Sequence, residues 1–255
     1  MQLSILFWNI WLDNQINSQK SQQKLLDGLG CIIEKYQPDC IGLNEVMQHV
    51  ESSAPFVLDF LKGLGYKNNY YAPASPFSDD WLIGSSLSSR LALDSITDIP
   101  ISTDSSAKRK GYKGYSIKAI TTKVILPNNE KIGLVIAHPL CLYPHNLINH
   151  YQGTSSLRRL LQTAAFSENT IIGGDFNEPS FMPRSFKNTT SEILNFKTGT
   201  LRYPTWRHKA LHMTPLRSNL DQVYWTKKGS IQLTNFEIID SDISDHRPVL
   251  AIFEV

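Results

Sequence analysis

The feature that most constrains this chain is a short apolar run that ends in a glycine pair and leads directly into acidic and amide residues. Residues 171–177 read IIGGDFN. In an extended chain residues i and i+2 point to the same face, so Asp175 and Asn177 can reach one point in space, and glycine lets another backbone or a phosphate come close. The pattern is typical of a buried strand with catalytic groups at its end, although Asp and Asn are also ordinary turn residues.

The same kind of strand end recurs near both termini of the chain. An acid, amide or imidazole lies at the edge of an apolar run at Asn9, Asn44-Glu45 and Asp245-His246. Each motif alone is common in proteins. Together they predict that side chains from both termini and from the middle of the chain meet at one site.

Apolar periodicity along the chain predicts strands that alternate with helices. Helical spacing predicts helices over residues 21–36, 55–64 and 148–166. Strands are predicted at residues 3–10, 40–43, 66–71, 81–90, 115–126, 131–137, 170–173, 220–225, 231–238 and 249–255. We therefore predict a single α/β domain over residues 1–255, a four-layer sandwich of two mainly antiparallel or mixed β-sheets packed face to face, with helices outside.

The composition limits the function classes. The chain is 41% hydrophobic, which is ample for a packed core, and its formal net charge is only +2, so any attraction to a polyanion must come from local patches. The sequence shows no run of membrane-spanning length and no signal segment, which predicts a cytoplasmic protein without stable membrane insertion. We expect a monomer, and the sequence indicates no protein partner.

Three cysteines, Cys31, Cys40 and Cys141, lack metal-ligand spacing. They are typical of buried thiols in a reducing compartment, or of a chain with one bridge, either Cys31 to Cys141 or Cys40 to Cys141.

The motifs at Asn9, Glu45, Asp175, Asn177 and His246, in this order, resemble those of the endonuclease/exonuclease/phosphatase (DNase I-like) superfamily. The resemblance covers nearly the whole chain and implies a phosphodiesterase that depends on a divalent metal. Phosphodiester hydrolysis needs a cation, a base and hydrogen-bond donors, because the substrate's negative charge repels nucleophiles and the leaving oxygen departs with charge.

The resemblance also implies a metal site. Glu45 is the expected ligand of Mg2+ or Mn2+, which prefer oxygen donors. Asn9 is expected to add an amide oxygen or to position that carboxylate, and Asp245 to join the metal site or hold it in place.

Further roles are expected for residues that act on the phosphate. Asp175 is the candidate general base or water-orienting group, and the amide of Asn177 would hold a phosphoryl oxygen. His246 would donate to the phosphate in the transition state, with Asp221 behind it to keep it protonated and oriented. His138, which follows the predicted strand 131–137, would contact the phosphate by the same resemblance.

The chain also departs from particular branches of the superfamily. Abasic-site endonucleases carry an acid two positions after the first-strand Asn, where this chain has Trp11. The segment around Asp221 lacks the Pro-x-Trp-Cys-Asp-Arg pattern of inositol 5-phosphatases. The strand ending at Ser89-Arg90 is more polar than is usual in the superfamily, and Arg90 is predicted to bind substrate.

Two basic stretches with aromatic residues suggest a polyanionic substrate. One spans residues 108–118 and includes Lys113, without an acid among its cations, and the other spans 202–217 around Trp206 and Arg207. The first stretch is equally consistent with a solvated loop that aids solubility.

The sequence therefore predicts an Mg2+- or Mn2+-dependent phosphodiesterase, with DNA or RNA as the expected substrate. One alternative is a sphingomyelinase-like or other phosphoester hydrolase of the same superfamily. An alternative of another class is a relative that binds phosphorylated ligands without turning them over.

Overall fold

The computed structural model describes residues 1–10, 13–16, 18–103, 116–139, 169–176, 196–198, 206–207, 217–218, 221–226 and 229–255. The helices of this part are α1 (Asp13–Ile16), α2 (Gln19–Tyr36) and α3 (Phe56–Gly63). Its strands are β1 (Gln2–Asn9), β2 (Cys40–His49), β3 (Asn68–Pro76), β4 (Trp81–Ser89), β5 (Ala92–Thr103), β6 (Ser116–Ile125), β7 (Lys131–Ile136), β8 (Thr170–Asp175), β9 (Phe196–Thr198), β10 (Trp206–Arg207), β11 (Arg217–Ser218), β12 (Asp221–Thr226), β13 (Gln232–Ile238) and β14 (Val249–Glu254).

Most strands form two six-stranded sheets. Sheet A has the order β13-β14-β1-β2-β4-β3 and sheet B the order β5-β6-β7-β8-β12-β9, while β10 and β11 pair separately. Both sheets are mixed, because β1 runs parallel to β2 and β7 runs parallel to β8, whereas their other described pairs are antiparallel. The predicted architecture of two mixed sheets is confirmed.

Alternate residues of β1 face two different cores, as the period of a strand requires. Leu3, Ile5 and Phe7 belong to the core between the sheets, together with residues of sheet B such as Leu134 and Ile171. Two glycines allow close packing between the sheets. A Cβ at Gly42 would lie 2.5 Å from a side-chain carbon of Ile136, and one at Gly173 would lie 2.4 Å from the ring of Phe7.

The other face of sheet A is covered by helices α2 and α3. Leu6, Trp8 and Ile10 are fully buried there. They belong to one core with Leu25 and Leu29 of α2 and with Val57 and Leu61 of α3. Each fully buried side chain of this size contributes about 1.5–3 kcal/mol relative to exposure, so the layering follows from an apolar strand that must be covered on both faces.

The observed elements differ from the predicted ones in a few places. Strand β2 does not close at Asn44-Glu45 but continues to His49. Strand β5 was not predicted, because its sequence ALDSITDIPIST is too polar for an alternating pattern and it lies at the edge of sheet B. The predicted helix at 148–166 lies outside the described residues. None of the helices in the described ranges is both long and apolar enough to cross a membrane.

The expectation of buried thiols is right for Cys40 and wrong for Cys31. Cys40 is buried at the start of β2, whereas Cys31 lies on the exposed side of α2. Burial raises the pKa of the Cys40 thiol to about 12. Both predicted bridges involve Cys141, which lies outside the described residues.

Candidate active site

The ends of β1, β8 and β12, the middle of β2 and the segment before β14 converge at one edge of the sandwich. The parallel register of β1 and β2 places Asn9 beside Asn44, and the antiparallel register of β8 and β12 places Asp221 opposite Asp175. His246 reaches the same place from the segment that precedes β14. The fold therefore brings together residues that lie more than 200 positions apart in sequence.

One carboxylate oxygen, Oδ2 of Asp175, lies at the centre of the cluster. It accepts a hydrogen bond of 2.9 Å from Nδ2 of Asn9. Nε2 of His138 and Nε2 of His246 each lie 3.6 Å from the same oxygen. The side chain of Asp175 is only 1% exposed, so its charge is held in place by these partners and not by bulk water.

The amide of Asn9 connects the two carboxylates of the site. Its Nδ2 atom also donates to Oε1 of Glu45 at 3.1 Å. Of the two roles expected for Asn9, the observed contacts fit the positioning of the carboxylate. Two carboxylates joined through one amide group create a local negative charge that favours a cation nearby.

Glu45 reaches this cluster because β2 contains a bulge. The pairing of β2 with β4 shifts between Leu43 and Val46, and Glu45 has a φ of 57°, in the left-handed region. In a regular strand neighbouring side chains would point to opposite faces. Here Asn44 and Glu45 both serve the same edge, since Oδ1 of Asn44 accepts the backbone N–H of Asp175 at 2.9 Å while Glu45 meets Asn9. Bulges near active sites commonly redirect a side chain in this way.

Asn44 is a site residue that was predicted only as part of a motif and without a role. It is fully buried, and its Nδ2 donates to Oγ of Ser85 at 2.9 Å. Its bond to the backbone of Asp175 connects sheet A to sheet B. The neighbouring Gly174 has a φ of 137°, and a Cβ there would lie 2.1 Å from the carbonyl oxygen of Ala137 and 2.8 Å from Oδ1 of Asn44. The glycine pair is thus needed for this close approach.

His246 and Asp221 form a buried pair. Nδ1 of His246 and Oδ2 of Asp221 are 2.8 Å apart, and both side chains are at most 6% exposed. Burial by itself would lower the pKa of His246, but the charges of Asp221, Asp175 and Asp245 and the hydrogen bond to Asp221 raise that pKa to about 10. The raised pKa favours the protonated imidazole at neutral pH, and Nε2 lies 3.6 Å from Oδ2 of Asp175.

The backbone around His246 is also fixed. Nε1 of Trp8 donates to the carbonyl oxygen of His246 at 3.0 Å. Oγ of Ser244 accepts the backbone N–H of His246 at 3.1 Å and donates to the carbonyl oxygen of Asn9 at 2.8 Å. Sequence reasoning missed Trp8 and Ser244, because a tryptophan in an apolar run and a serine in a turn carry no distinctive signal.

Two groups of side chains in the described part of the chain could hold a metal ion, Glu45-His138-Asp175 and Asp175-Asp221-His246. The second group is buried and is engaged in the charged His246–Asp221 pair. The first borders solvent, since Glu45 and His138 are 20% and 22% exposed and Nε2 of His138 lies 3.8 Å from Oε1 of Glu45. The first group is the better fit for a hydrated cation such as Mg2+ or Mn2+ because it contains two carboxylates and borders solvent.

Asp245 lies next to this cluster without joining either group. Its Oδ1 accepts a hydrogen bond of 3.4 Å from Oγ of Ser244, and its charge contributes to the raised pKa of His246.

Asn177 and Lys113 lie outside the described residues. Trp206 and Arg207 form a short ladder with Ser218 and Arg217.

The structure places Arg90 at the end of the β2–β4 pairing that lies away from Glu45. Ser89 pairs with Cys40 at the start of β2, whereas Glu45 lies beyond Leu43 at the far end of that pairing. At about 3.3 Å per residue, the backbones of Arg90 and Glu45 are roughly 16 Å apart. The Arg90 guanidinium instead stacks over the ring of Tyr66 at 4.7 Å.

One cation of the first basic stretch is paired with an acid of a neighbouring strand. Lys118 has no acidic neighbour in the sequence of that stretch, but its Nζ forms an ion pair of 2.6 Å with Asp98 of the adjacent strand β5. Lys118 is therefore not an unpaired cation. The rest of this stretch, from residue 108 to 115, lies outside the described residues.

A two-sheet sandwich with acidic, amide and imidazole groups gathered at one edge defines a class of phosphoester-cleaving proteins. Residues 6–246 match the sequence model of the Endonuclease/Exonuclease/phosphatase family, and the chain belongs to this family. No curated protein sequence matches the chain significantly.

Solved structures with the same fold include members of this family. An endonuclease/exonuclease/phosphatase from Beutenbergia cavernae DSM 12333 is 15% identical, with a TM-score of 0.76 over 100% of this chain and 72% of that chain. D. rerio TDP2 complexed with single strand DNA product is 18% identical, with a TM-score of 0.71 over 100% and 99%. The human Nocturnin catalytic domain with bound sulfate anion is 18% identical, with a TM-score of 0.73 over 99% and 94%. At these identities the likeness shows the shared fold.

Proposed function

We propose that this protein is a divalent-metal-dependent phosphodiesterase, and more specifically a nuclease that hydrolyses DNA or RNA. The observation that carries the proposal is the convergence of Glu45, Asn9 and His246 on the buried carboxylate of Asp175. Around Oδ2 of Asp175 the arrangement would supply two things: a group of carboxylates that can bind a cation, and an imidazole that can donate a proton. Phosphodiester hydrolysis needs both.

Glu45 would hold the cation, with Asp175 and His138 beside it. Mg2+ or Mn2+ bound there would neutralise charge on a phosphate oxygen and ease the deprotonation of water. The residues present fit this ion because carboxylates are its preferred ligands. Asn9 would keep the Glu45 carboxylate oriented, since its amide donates to Glu45 and Asp175 together.

His246 would act as the donor to the phosphate. Its Nδ1 side is taken by Asp221 at 2.8 Å, so the proton that can be shared lies on Nε2. That proton faces the cluster and would stabilise negative charge on a phosphoryl oxygen in the transition state. Asp175 would orient or deprotonate the attacking water, with a contribution typical of general base catalysis.

Further contacts with the substrate are proposed from the sequence motifs. The amide of Asn177, two residues after Asp175, would hold a phosphoryl oxygen, and Asp245 would keep the metal site in place. Lys113 and Arg207 would contact phosphates, and Trp206 would stack on a base. D. rerio TDP2, which shares this fold, has been solved in complex with a single strand DNA product. This likeness supports a nucleic acid as the first substrate to test.

The test is cleavage of labelled single-stranded DNA, duplex DNA, RNA, a 5′-tyrosyl oligonucleotide and sphingomyelin in Mg2+, in Mn2+ and in EDTA. We expect metal-dependent cleavage of at least one nucleic acid. Asp175→Asn and His246→Gln should each lower kcat/KM by about 10²–10⁴-fold. Asp59→Asn, a matched change at an exposed position of α3, should leave it unchanged.

Three outcomes would contradict the proposal. A folded wild-type protein that cleaves none of these substrates with either metal is not a phosphodiesterase of this kind. Tight binding of an oligonucleotide without turnover would support the alternative of a non-catalytic phospholigand-binding relative. Cleavage of sphingomyelin alone would support the sphingomyelinase-like alternative.

A further inference from the structure

The bulge that delivers Glu45 lies where β2 loses its neighbour on one side. Strand β1 ends at Asn9, and the N–H of the next residue, Ile10, donates to the carbonyl oxygen of Asn44 at 3.2 Å. Beyond this point β1 no longer pairs with β2. The carbonyl of Glu45 and the N–H of Met47 therefore need partners from elsewhere in the chain. Buried backbone groups of this kind need partners.

The side chain of Gln15, from the short helix α1, supplies both partners. Its Nε2 donates to the carbonyl oxygen of Glu45 at 2.7 Å, and its Oε1 accepts the N–H of Met47 at 2.8 Å. Gln15 is fully buried. Its carboxamide thus takes the place of a peptide group of a neighbouring strand, which requires one donor and one acceptor in the same plane.

Gln15 is itself connected to the helix that covers sheet A. The side-chain amide of Gln22, in α2, donates to the backbone carbonyl of Gln15. Helix α1 is therefore hydrogen-bonded to α2 through the backbone of Gln15 and to the bulge of β2 through the Gln15 side chain. This matters because Glu45 has a left-handed φ of 57°, which a non-glycine residue keeps only when its surroundings enforce it.

We propose that Gln15 is a positioning residue for the cation site, because it holds the Glu45 backbone in the bulged conformation that directs the carboxylate toward Asn9 and Asp175. The proposal rests on the proposed function in one respect, that Glu45 holds the ion. Gln15 does not touch the substrate or the ion. It acts through the backbone of Glu45, as residues behind a metal ligand commonly do.

The test is Mn2+ binding to the folded, metal-free protein, measured by calorimetry. Gln15→Met keeps the length and volume of the side chain and removes both hydrogen bonds. It should raise the Kd for Mn2+ by about 10–100-fold, the usual effect of losing a partner behind a ligand. Gln23→Met is the matched control, because it makes the same chemical change at an exposed residue of α2 whose side-chain amide donates to Asp27. Its Kd should stay within about twofold of wild type, a change too small to reflect a lost partner of a metal ligand.

A merely structural role would give a different result. If Gln15→Met lowers the Tm but binds Mn2+ as wild type does, the proposal is overturned. If wild type itself binds no Mn2+, the cation site and the proposed function fail first, and the role of Gln15 falls with them. Should Gln15→Met not fold, Gln15→Asn, which keeps the amide but shortens it by one methylene, takes its place and should also weaken Mn2+ binding.

Discussion

Replacing Asp221 by asparagine should move the titration of His246 while leaving the shape of the site nearly unchanged. His246 is almost completely buried, so without charged partners its neutral form would be favoured. Its pKa instead rises to about 10, with Asp221 the strongest of the influences that raise it. Asp221→Asn removes that charge, and burial then competes only with Asp175 and Asp245. The pKa of His246 should therefore fall toward the neutral range.

The size of the effect follows from linkage. A histidine whose pKa is raised on folding stabilises the protein fully below its unfolded pKa of 6.5, and this contribution is lost as the pH rises through about 10. At pH 7 the difference amounts to on the order of 4 kcal/mol for the metal-free protein. Most of it should disappear in Asp221→Asn, in line with the cost of breaking a buried pair from one side.

Nuclear magnetic resonance of the metal-free protein, with labelled histidine, measures the titration directly. The His246 ring signals of wild type should stay constant between pH 5.5 and 8.5, and those of Asp221→Asn should shift within or near this interval. Urea unfolding at pH 7 and pH 10 measures the stability, and the wild-type advantage over the variant should shrink at the higher pH. Asp59→Asn controls for loss of an acid elsewhere. Titration of wild-type His246 near its ordinary pKa would refute the reasoning.

Two further predictions concern the packing around the site. Gly174→Ala should destabilise the protein by more than about 2 kcal/mol, because a Cβ would lie 2.1 Å from the carbonyl oxygen of Ala137 at a φ of 137°; Gly63→Ala, where no atom lies within 4 Å, should leave the Tm unchanged or raise it in thermal unfolding. A maleimide should label the exposed Cys31 within minutes and leave Cys40 unmodified in the native protein, since burial raises the pKa of Cys40 to about 12; peptide mass spectrometry would detect equal labelling if Cys40 were accessible.

The parts of the fold that sequence predicts well are those where one physical signal dominates. Strand β1 has fully buried side chains on both faces, and its apolar run 3–10 marks it clearly. Helix α2 has buried residues at helical spacing and an N-cap at Ser18, whose side chain accepts the N–H of Ser21. Strand β5 lacks such a signal, because an edge strand can keep polar residues and still complete a ladder with its one neighbour.

The candidate site shows a similar division. Its titratable members could be named from motifs, because several strand-end motifs, each common alone, occur together in this chain. Its supporting residues could not. Gln15 lies in a polar stretch where an amide is unremarkable, and only the bulge of β2 creates the two backbone groups that need it. Substrate binding by Arg90 stays a prediction, since a Ser-Arg motif does not reveal which end of β4 faces the site and the structure places Arg90 at the end away from Glu45.

The contacts that close the sandwich are also the contacts that shape the site. Asn44 of sheet A binds the backbone of Asp175 in sheet B, and the sheets can come this close because the neighbouring residues in β8 are the glycines 173 and 174. The position of the central carboxylate relative to Glu45 is therefore set by the distance between the sheets and not by a flexible loop. A core substitution that separates the sheets, even one far from the carboxylates, would weaken the candidate cation site before it unfolds the chain. For this reason a loss of activity in such a variant identifies a catalytic role only when the spacing of the sheets is shown to be intact.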